Sequence, residues 1–320
     1  MNRNDIILPI LIAFGISVVL SPIIIPFLKK LKFGQFVRDD GPESHLKKSG
    51  TPTMGGLIIL FSIVITSLFY IKDYPQIIPV LFLTLGFGFV GFLDDYIKVV
   101  MKRSMGLRAW QKMLGQFLVT AVFAYYIHAH TDLGTDIMIP FVDKTVDLGW
   151  LYFPLMFFVV LGTANGANFS EGLDGLASSV TVLIATFFTM VAIGFGSGVA
   201  PITCATVGSL LGFLVYNVYP ARVFMGDTGS LALGGFVAST AYVLKMPLII
   251  LIVAFVYFME VLSVIIQVTY FKKTGKRIFK MAPIHYHFVK CGMKESNVVL
   301  LFTVFGIILS ILATIIGVIL

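Results

Sequence analysis

Residues 77–98 read IIPVLFLTLGFGFVGFLDDYIK, and this stretch decides the fold. The seventeen residues from Ile77 to Leu93 carry no charge, and then Asp94, Asp95 and Lys98 arrive within five positions. An apolar run of nearly 20 residues has the length of a bilayer-spanning helix, and acids at its end mark where it meets water or a polar site. Similar blocks recur along the 320 residues, too many to be one secretory signal. Composition agrees: 58% of the residues are hydrophobic and 12% charged, with a mean hydropathy of +0.97. A soluble globule carries about twice that charge, and a disordered chain far less apolar surface. The chain is read as an all-α polytopic membrane protein.

Ten helices are expected, over about 5–28, 54–71, 76–93, 113–130, 150–165, 174–194, 199–217, 229–244, 247–270 and 297–320. Alternating them divides the connections into two sets, and 19 of the 23 lysines and arginines fall on one. The positive-inside rule puts that set in the cytoplasm and both termini outside. The net charge of +7 is therefore read as topology and lipid contact, with no nucleic-acid partner. Cys204 and Cys291 form neither a disulfide framework nor a metal spacing. Residues 1–320 are expected to form one integral membrane domain. Its inner loops fall at about 29–53, 94–112, 166–173, 218–228 and 271–296. The outer segment at about 131–149 reads as a short β-hairpin or an irregular loop.

Nine acids lie among those inner bases, and they carry the chemistry. Adjacent carboxylates such as Asp94 and Asp95 cannot both leave water without a counter-charge, so the pair calls for Mg²⁺, a lysine or a shared proton. Lys98 stands one helical turn from Asp94. Residues 165–175, NGANFSEGLDG, hold two amides, two acids and no base. There Asn168, Glu171 and Asp174 recur every three residues and would share a face if the stretch were helical. Residues 222–230, RVFMGDTGS, place Asp227 at a helix start, where N–H groups and the dipole favour an anion; a simple helix cap is the plainer alternative. The basic loop from Lys272 to Lys294 holds His285 and His287 in PIHYHF, too few ligands for zinc. In the first inner loop Lys48, Thr53 and nearby glycines could receive a phosphate. Asp, Asn, His, Lys and glycine-rich turns gathered on one face suit Mg²⁺-assisted phosphoryl transfer, and at a membrane surface the acceptor would be a lipid.

Five ordered motifs bear a resemblance: TPTMGG at 51–56, FLDDYIKV at 92–99, NFSEGLDGLA at 168–177, VFMGDTGSLALGG at 223–235 and PIHYHF at 283–288. Over essentially its whole length the chain resembles the phospho-N-acetylmuramoyl-pentapeptide transferases of bacterial cell-wall synthesis. The resemblance implies transfer of phospho-MurNAc-pentapeptide from UDP-MurNAc-pentapeptide to undecaprenyl phosphate, giving lipid I and UMP with Mg²⁺. It further implies a homodimer in the bacterial plasma membrane, with the site facing the cytoplasm. By the same resemblance Asp227 is the Mg²⁺ ligand. Asp94 and Asp95 are catalytic, as base for the lipid phosphate or as nucleophile, with Lys112 and His285 beside them. Phe224 would stack on uracil, with Lys48, Thr53, Gly226, Ser230 and Gln267 lining the nucleotide site. Asn168, Glu171, Asp174 and His287 complete the substrate site.

Two positions depart from the family pattern: Tyr286 stands in the middle of a histidine triplet, and Glu171 where an aspartate is usual. A sister enzyme moving phospho-N-acetylglucosamine onto the same lipid would carry a last loop richer in arginine. A transporter would cluster its charges at mid-bilayer, where Glu260 stands by itself.

Overall fold

The computed structural model describes residues 3–30, 50–101, 103, 105–140 and 144–319, the side chains of 316–319 excepted. In chain order it contains α1 (Asn4–Lys30), α2 (Gly56–Leu68), α3 (Ile77–Val99), α4 (Ala109–His130), β1 (Asp136–Met138), β2 (Thr145–Asp147), α5 (Tyr152–Phe169) and α6 (Leu176–Gly194). Then follow α7 (Ala200–Asn217), α8 (Gly226–Val243), α9 (Ile250–Val253), α10 (Phe255–Thr274), α11 (Ile284–Lys290) and α12 (Glu295–Ile319). A long helix falls on each of the ten expected segments. Seven of these, α1, α3, α5, α6, α7, α10 and α12, are long and apolar enough to cross a membrane. Phe89, Phe158 and Ile23 stand among many large apolar side chains left open on the outside. In a multi-pass membrane protein those faces meet lipid.

The shortfall in the other three has physical reasons. α2 has 13 residues and rises only about 20 Å. α4 carries Gln111, Lys112, Gln116, His128 and His130. α8 is rich in Gly, Ser, Thr and Ala, yet every residue in it except Asp227 is buried. A helix surrounded by protein needs small residues for close approach more than it needs greasy ones. Its nearest neighbour is α3, and the crossing is fixed at Gly91, where a Cβ would overlap the Asp227 carbonyl group.

Several expected boundaries move. α3 continues through Lys98, α5 reaches Phe169 and α8 begins at Gly226, so the inner loops expected at 94–112, 166–173 and 218–228 are shorter. The helices extend because their polar ends find partners instead of water. The helix expected over 247–270 is interrupted: a 3₁₀ turn at Pro247–Ile249 and α9 precede a break at Ala254. The last inner loop also contains α11.

β1 and β2 pair antiparallel, as in the hairpin alternative, with Asp136 opposite Asp147 and Met138 opposite Thr145. Met138 N–H donates to the Lys245 carbonyl (2.7 Å), which seats the hairpin beyond the far end of α8. The Tyr74 hydroxyl reaches Asp5 (2.7 Å), and Gln76 accepts from Ser197 and Gly198 (3.0 and 2.8 Å). Among the described residues, each Lys–Asp pair joins two members of the same connection set, Lys245 with Asp136 at one end and Lys98 and Lys112 with Asp94 and Asp227 at the other.

Candidate functional site

The two adjacent aspartates do not face each other. Consecutive positions on a helix diverge by about 100°, and each carboxylate meets its own partners. Asp94 Oδ2 lies 2.6 Å from Lys98 Nζ one turn on, and Oδ1 accepts the Leu107 N–H (2.6 Å). Asp95 turns toward α8. Its Oδ2 accepts the Thr228 N–H (2.9 Å) and hydroxyl (2.6 Å), and Oδ1 accepts the Asp227 N–H (3.2 Å). The anion expected at this helix N-terminus is thus supplied by the protein itself, and the cap comes from Asp95 on α3.

Asp227 occupies the first turn of α8 and gathers side chains from three other helices. Oδ2 lies 2.8 Å from Lys98 Nζ and 3.1 Å from Lys112 Nζ, while Oδ1 accepts from Asn168 Nδ2 (2.6 Å). Lys112 also donates to Asn168 Oδ1 (3.1 Å), and the Asn168 amide donates to Ser230 Oγ (2.8 Å). The sequence reading identified Lys98 as a partner for Asp94 but left it out of the site. Its reach to Asp227, 129 residues away, depends on the close α3–α8 crossing.

The stretch holding Asn168, Glu171 and Asp174 is not one helix, so the shared face expected of it does not form. Asn168 lies in the last turn of α5, Glu171 and Asp174 follow that helix, and Gly175 turns the chain with φ 79°. All three nevertheless reach the segment that opens α8. Glu171 Oε1 accepts the Gly226 N–H (2.6 Å), and Asp174 Oδ2 accepts the Ala221 N–H (2.9 Å). Burial, followed by the charges of Asp227 and Asp95, raises the Glu171 carboxyl from its ordinary 4.5 to about 8. At neutral pH it is mostly protonated and adds little charge.

Gly226 has φ 72°, and a Cβ there would crowd Asp95 and the Thr53 hydroxyl. Glycine at this point lets Thr53, Asp95 and α8 meet. Phe224 is buried, and its backbone pairs with Pro52 and Gly55 on the strand-like entry to α2. Lys48 lies outside the described residues.

The remaining expected site residues take other partners. Gln267 is occupied in holding the following loop: it accepts from Ile278 and Phe279 N–H and donates to the Phe279 carbonyl. His287 accepts the Lys280 N–H (3.1 Å). His285 is fully buried, with Nδ1 3.1 Å from Glu260 Oε2, and among the described residues no hydrogen bond or ion pair joins it to Asp94, Asp95 or Asp227. Tyr286 donates to the Gly172 carbonyl (3.2 Å), and burial holds its phenol above the ordinary value, so it stays a donor.

Among the described residues no three acidic, imidazole or thiol groups form a ready-made metal cage. The donors that do converge are carboxylate and amide oxygens, which are hard ligands. A helical membrane protein with such a cluster at the ends of four helices is built to handle a phosphate ester of a membrane lipid. The comparisons agree: residues 77–245 match the model described as Glycosyl transferase family 4, and residues 48–60 match Phospho-N-acetylmuramoyl-pentapeptide-transferase signature 1. A protein of that name from Acetivibrio thermocellus is 51% identical over 97% of this chain and 95% of its own length. Those from Clostridium botulinum (strain Alaska E43 / Type E3) and Bacillus subtilis (strain 168) are 52% and 48% identical, over 95% and 98% of this chain and 94% and 98% of theirs. The chain belongs to the phospho-N-acetylmuramoyl-pentapeptide-transferase family.

Proposed function

We propose that this protein transfers phospho-MurNAc-pentapeptide from UDP-MurNAc-pentapeptide to undecaprenyl phosphate, giving lipid I and UMP in peptidoglycan synthesis. The observation that carries the reading is the set of side chains around Asp227. Lys98, Lys112 and Asp227 keep 37%, 17% and 13% of their side chains accessible, whereas Asp94 and Asp95 keep 3% or less. An arriving diphosphate therefore meets the two ammonium groups and Asp227 first. Phosphate oxygens compete with Asp94 for Lys98, and that exchange frees Asp94 Oδ2. Asp95 stays bound to α8 by three hydrogen bonds, so Asp94 is the better placed of the two to take the proton of the lipid phosphate. The lipid oxygen then forms its bond to the sugar-bearing phosphorus as the bond to UMP breaks. Lys98 and Lys112 remain close enough to offset the charge left on UMP.

The donor set fits Mg²⁺, which typically takes one or two carboxylates and completes its shell with water and substrate phosphates. Asp227 would hold it, and bound there the ion would supply charge neutralisation across the diphosphate. We further propose ten spans with both termini outside, the site facing the cytoplasm, a homodimer, and a bacterial plasma membrane location. The charge asymmetry and the sorting of polar contacts to two ends support the orientation. The family resemblance supports the rest. Purified protein given both substrates and Mg²⁺ should release UMP. Turnover with UDP-N-acetylglucosamine in its place would move the reading to the sister enzyme.

A further inference from the structure

Glu260 is an acid in the body of α10, and the reaction above gives it no task. Its carboxyl is fully buried, as is the His285 ring at the start of α11 that faces it. Nδ1 and Oε2 are 3.1 Å apart but not aligned as a regular hydrogen bond, and neither Glu260 Oε1 nor His285 Nε2 has a hydrogen-bond partner among the described residues. Burying these polar groups is costly, so their placement calls for a reason beyond packing.

The far side of the ring supplies one. His285 Nε2 lies against Gly172 so closely that a Cβ there would overlap it, and the same Cβ would come within 2.7 Å of the Tyr286 hydroxyl. Tyr286 donates to the carbonyl of that same glycine. The preceding residue, Glu171, holds the Gly226 N–H one position before Asp227. Contacts therefore run from α10 through α11 and the acidic turn to the N-terminus of α8.

We propose that Glu260 is a positioning residue: by fixing His285 against Gly172 it seats the acidic turn and sets where Glu171 meets the first turn of α8. This rests on the transferase reading, which wild-type UMP release tests separately. Side chains that hold a reacting constellation commonly act through a neighbour in this way.

The first test does not depend on turnover. Hydrogen exchange of the full-length protein in detergent should be faster in Glu260→Ala than in wild type at residues 171–175 and 226–228. Unchanged exchange there overturns the proposal. In the UMP assay Glu260→Ala should lower kcat roughly tenfold with KM for the nucleotide substrate within about threefold. Glu260→Gln, which keeps an acceptor facing the ring, should recover most of that loss. Adding Glu260→Ala to His285→Ala should cost nothing more, because the acid acts through the imidazole. Independent, multiplying losses overturn the idea. Should Glu260→Ala not fold, Gly172→Ala leaves both buried groups in place and displaces the ring. It must then reproduce the faster exchange and the kcat loss, and wild-type behaviour of that variant also overturns the proposal.

Discussion

Asp95 on α3 caps the N-terminus of α8 through Thr228, accepting its N–H at 2.9 Å and its hydroxyl at 2.6 Å. The contact joins two helices that the sequence separates by 133 positions, and it fixes Asp227 one residue away. Thr228→Val removes the hydroxyl and leaves the backbone donor. It should cost about 1–2 kcal/mol, read as a lower thermal midpoint in detergent, with a partial loss of UMP release. A variant matching wild type in both measurements would show that the hydroxyl contact with Asp95 does not help to hold α8 in place.

Asp227 meets Lys98, Lys112 and Asn168 together, so its removal takes away the carboxylate that two ammonium groups share and leaves Lys98 with Asp94 and Lys112 with the Asn168 amide. Asp227→Ala should abolish turnover while the protein remains folded. Lys112→Met should reduce kcat by about 100-fold or more, because it loses contact with both Asp227 and Asn168. Near-normal UMP release from either variant would remove that residue from the reacting group.

Much of this architecture was legible from charge and hydropathy, and the reasons for the rest can be located in particular residues. The pairing of apolar blocks with acids put Asp94, Asp95, Asn168 and Asp227 on one side of the membrane, and they do meet. Periodicity could not say that Asn168, Glu171 and Asp174 part company at the end of α5, because the break depends on Glu171 finding the N–H that opens α8 and Asp174 one on the segment before it. Nor could composition locate the centre of the fold. α8 reads as one of the less hydrophobic long segments, yet it is the one wrapped by protein. The resemblance places Gln267 and His285 in the site, and their partners here are a loop backbone and Glu260, contacts that a linear reading does not contain.

Glu171 gives a pH test with a definite sign. Its carboxyl rises from 4.5 to about 8 on folding, so the folded chain holds a proton that the unfolded chain releases between those values. Its contribution is fully present below about pH 4.5 and is lost as pH rises through about 8, by at most about 1.4 kcal/mol per pH unit. Glu171→Gln keeps an acceptor for Gly226 but cannot ionise. Thermal midpoints taken between pH 6 and 9 without divalent cations should fall more for wild type than for this variant. Parallel curves would show that Glu171 does not change its protonation on folding.

Gly91 tests the closeness of α3 to α8. The obstacle to a Cβ is the Asp227 carbonyl group and the Thr228 nitrogen, both backbone, so no rotamer change can make room. Gly91→Ala should therefore force the helices apart, costing several kcal/mol or preventing recovery of folded protein. Gly15 is the control, since a Cβ on it would meet nothing within 4 Å. Gly15→Ala should be tolerated and, by helix propensity, stabilise α1 by up to about 1 kcal/mol. Comparable damage from both substitutions would point to a general intolerance of the bundle and away from this crossing.

The proposed orientation can be checked from outside the cell. Ser197 and Lys276 lie on connections that alternate to opposite sides if all ten long helices span. Ser197 is tied to Gln76 at one end of the bundle, whereas Lys276 follows α10 on the basic loop. With Cys204 and Cys291 replaced by alanine, Ser197→Cys should react with a membrane-impermeant maleimide in intact cells. Lys276→Cys should react only after the membrane is opened. Because the proposed nucleotide substrate is made and held inside the cell, labelling of Lys276→Cys in intact cells would place the basic loop on the wrong side for that substrate. The orientation would fall, and with it the claim that the 19 bases mark the cytoplasmic face.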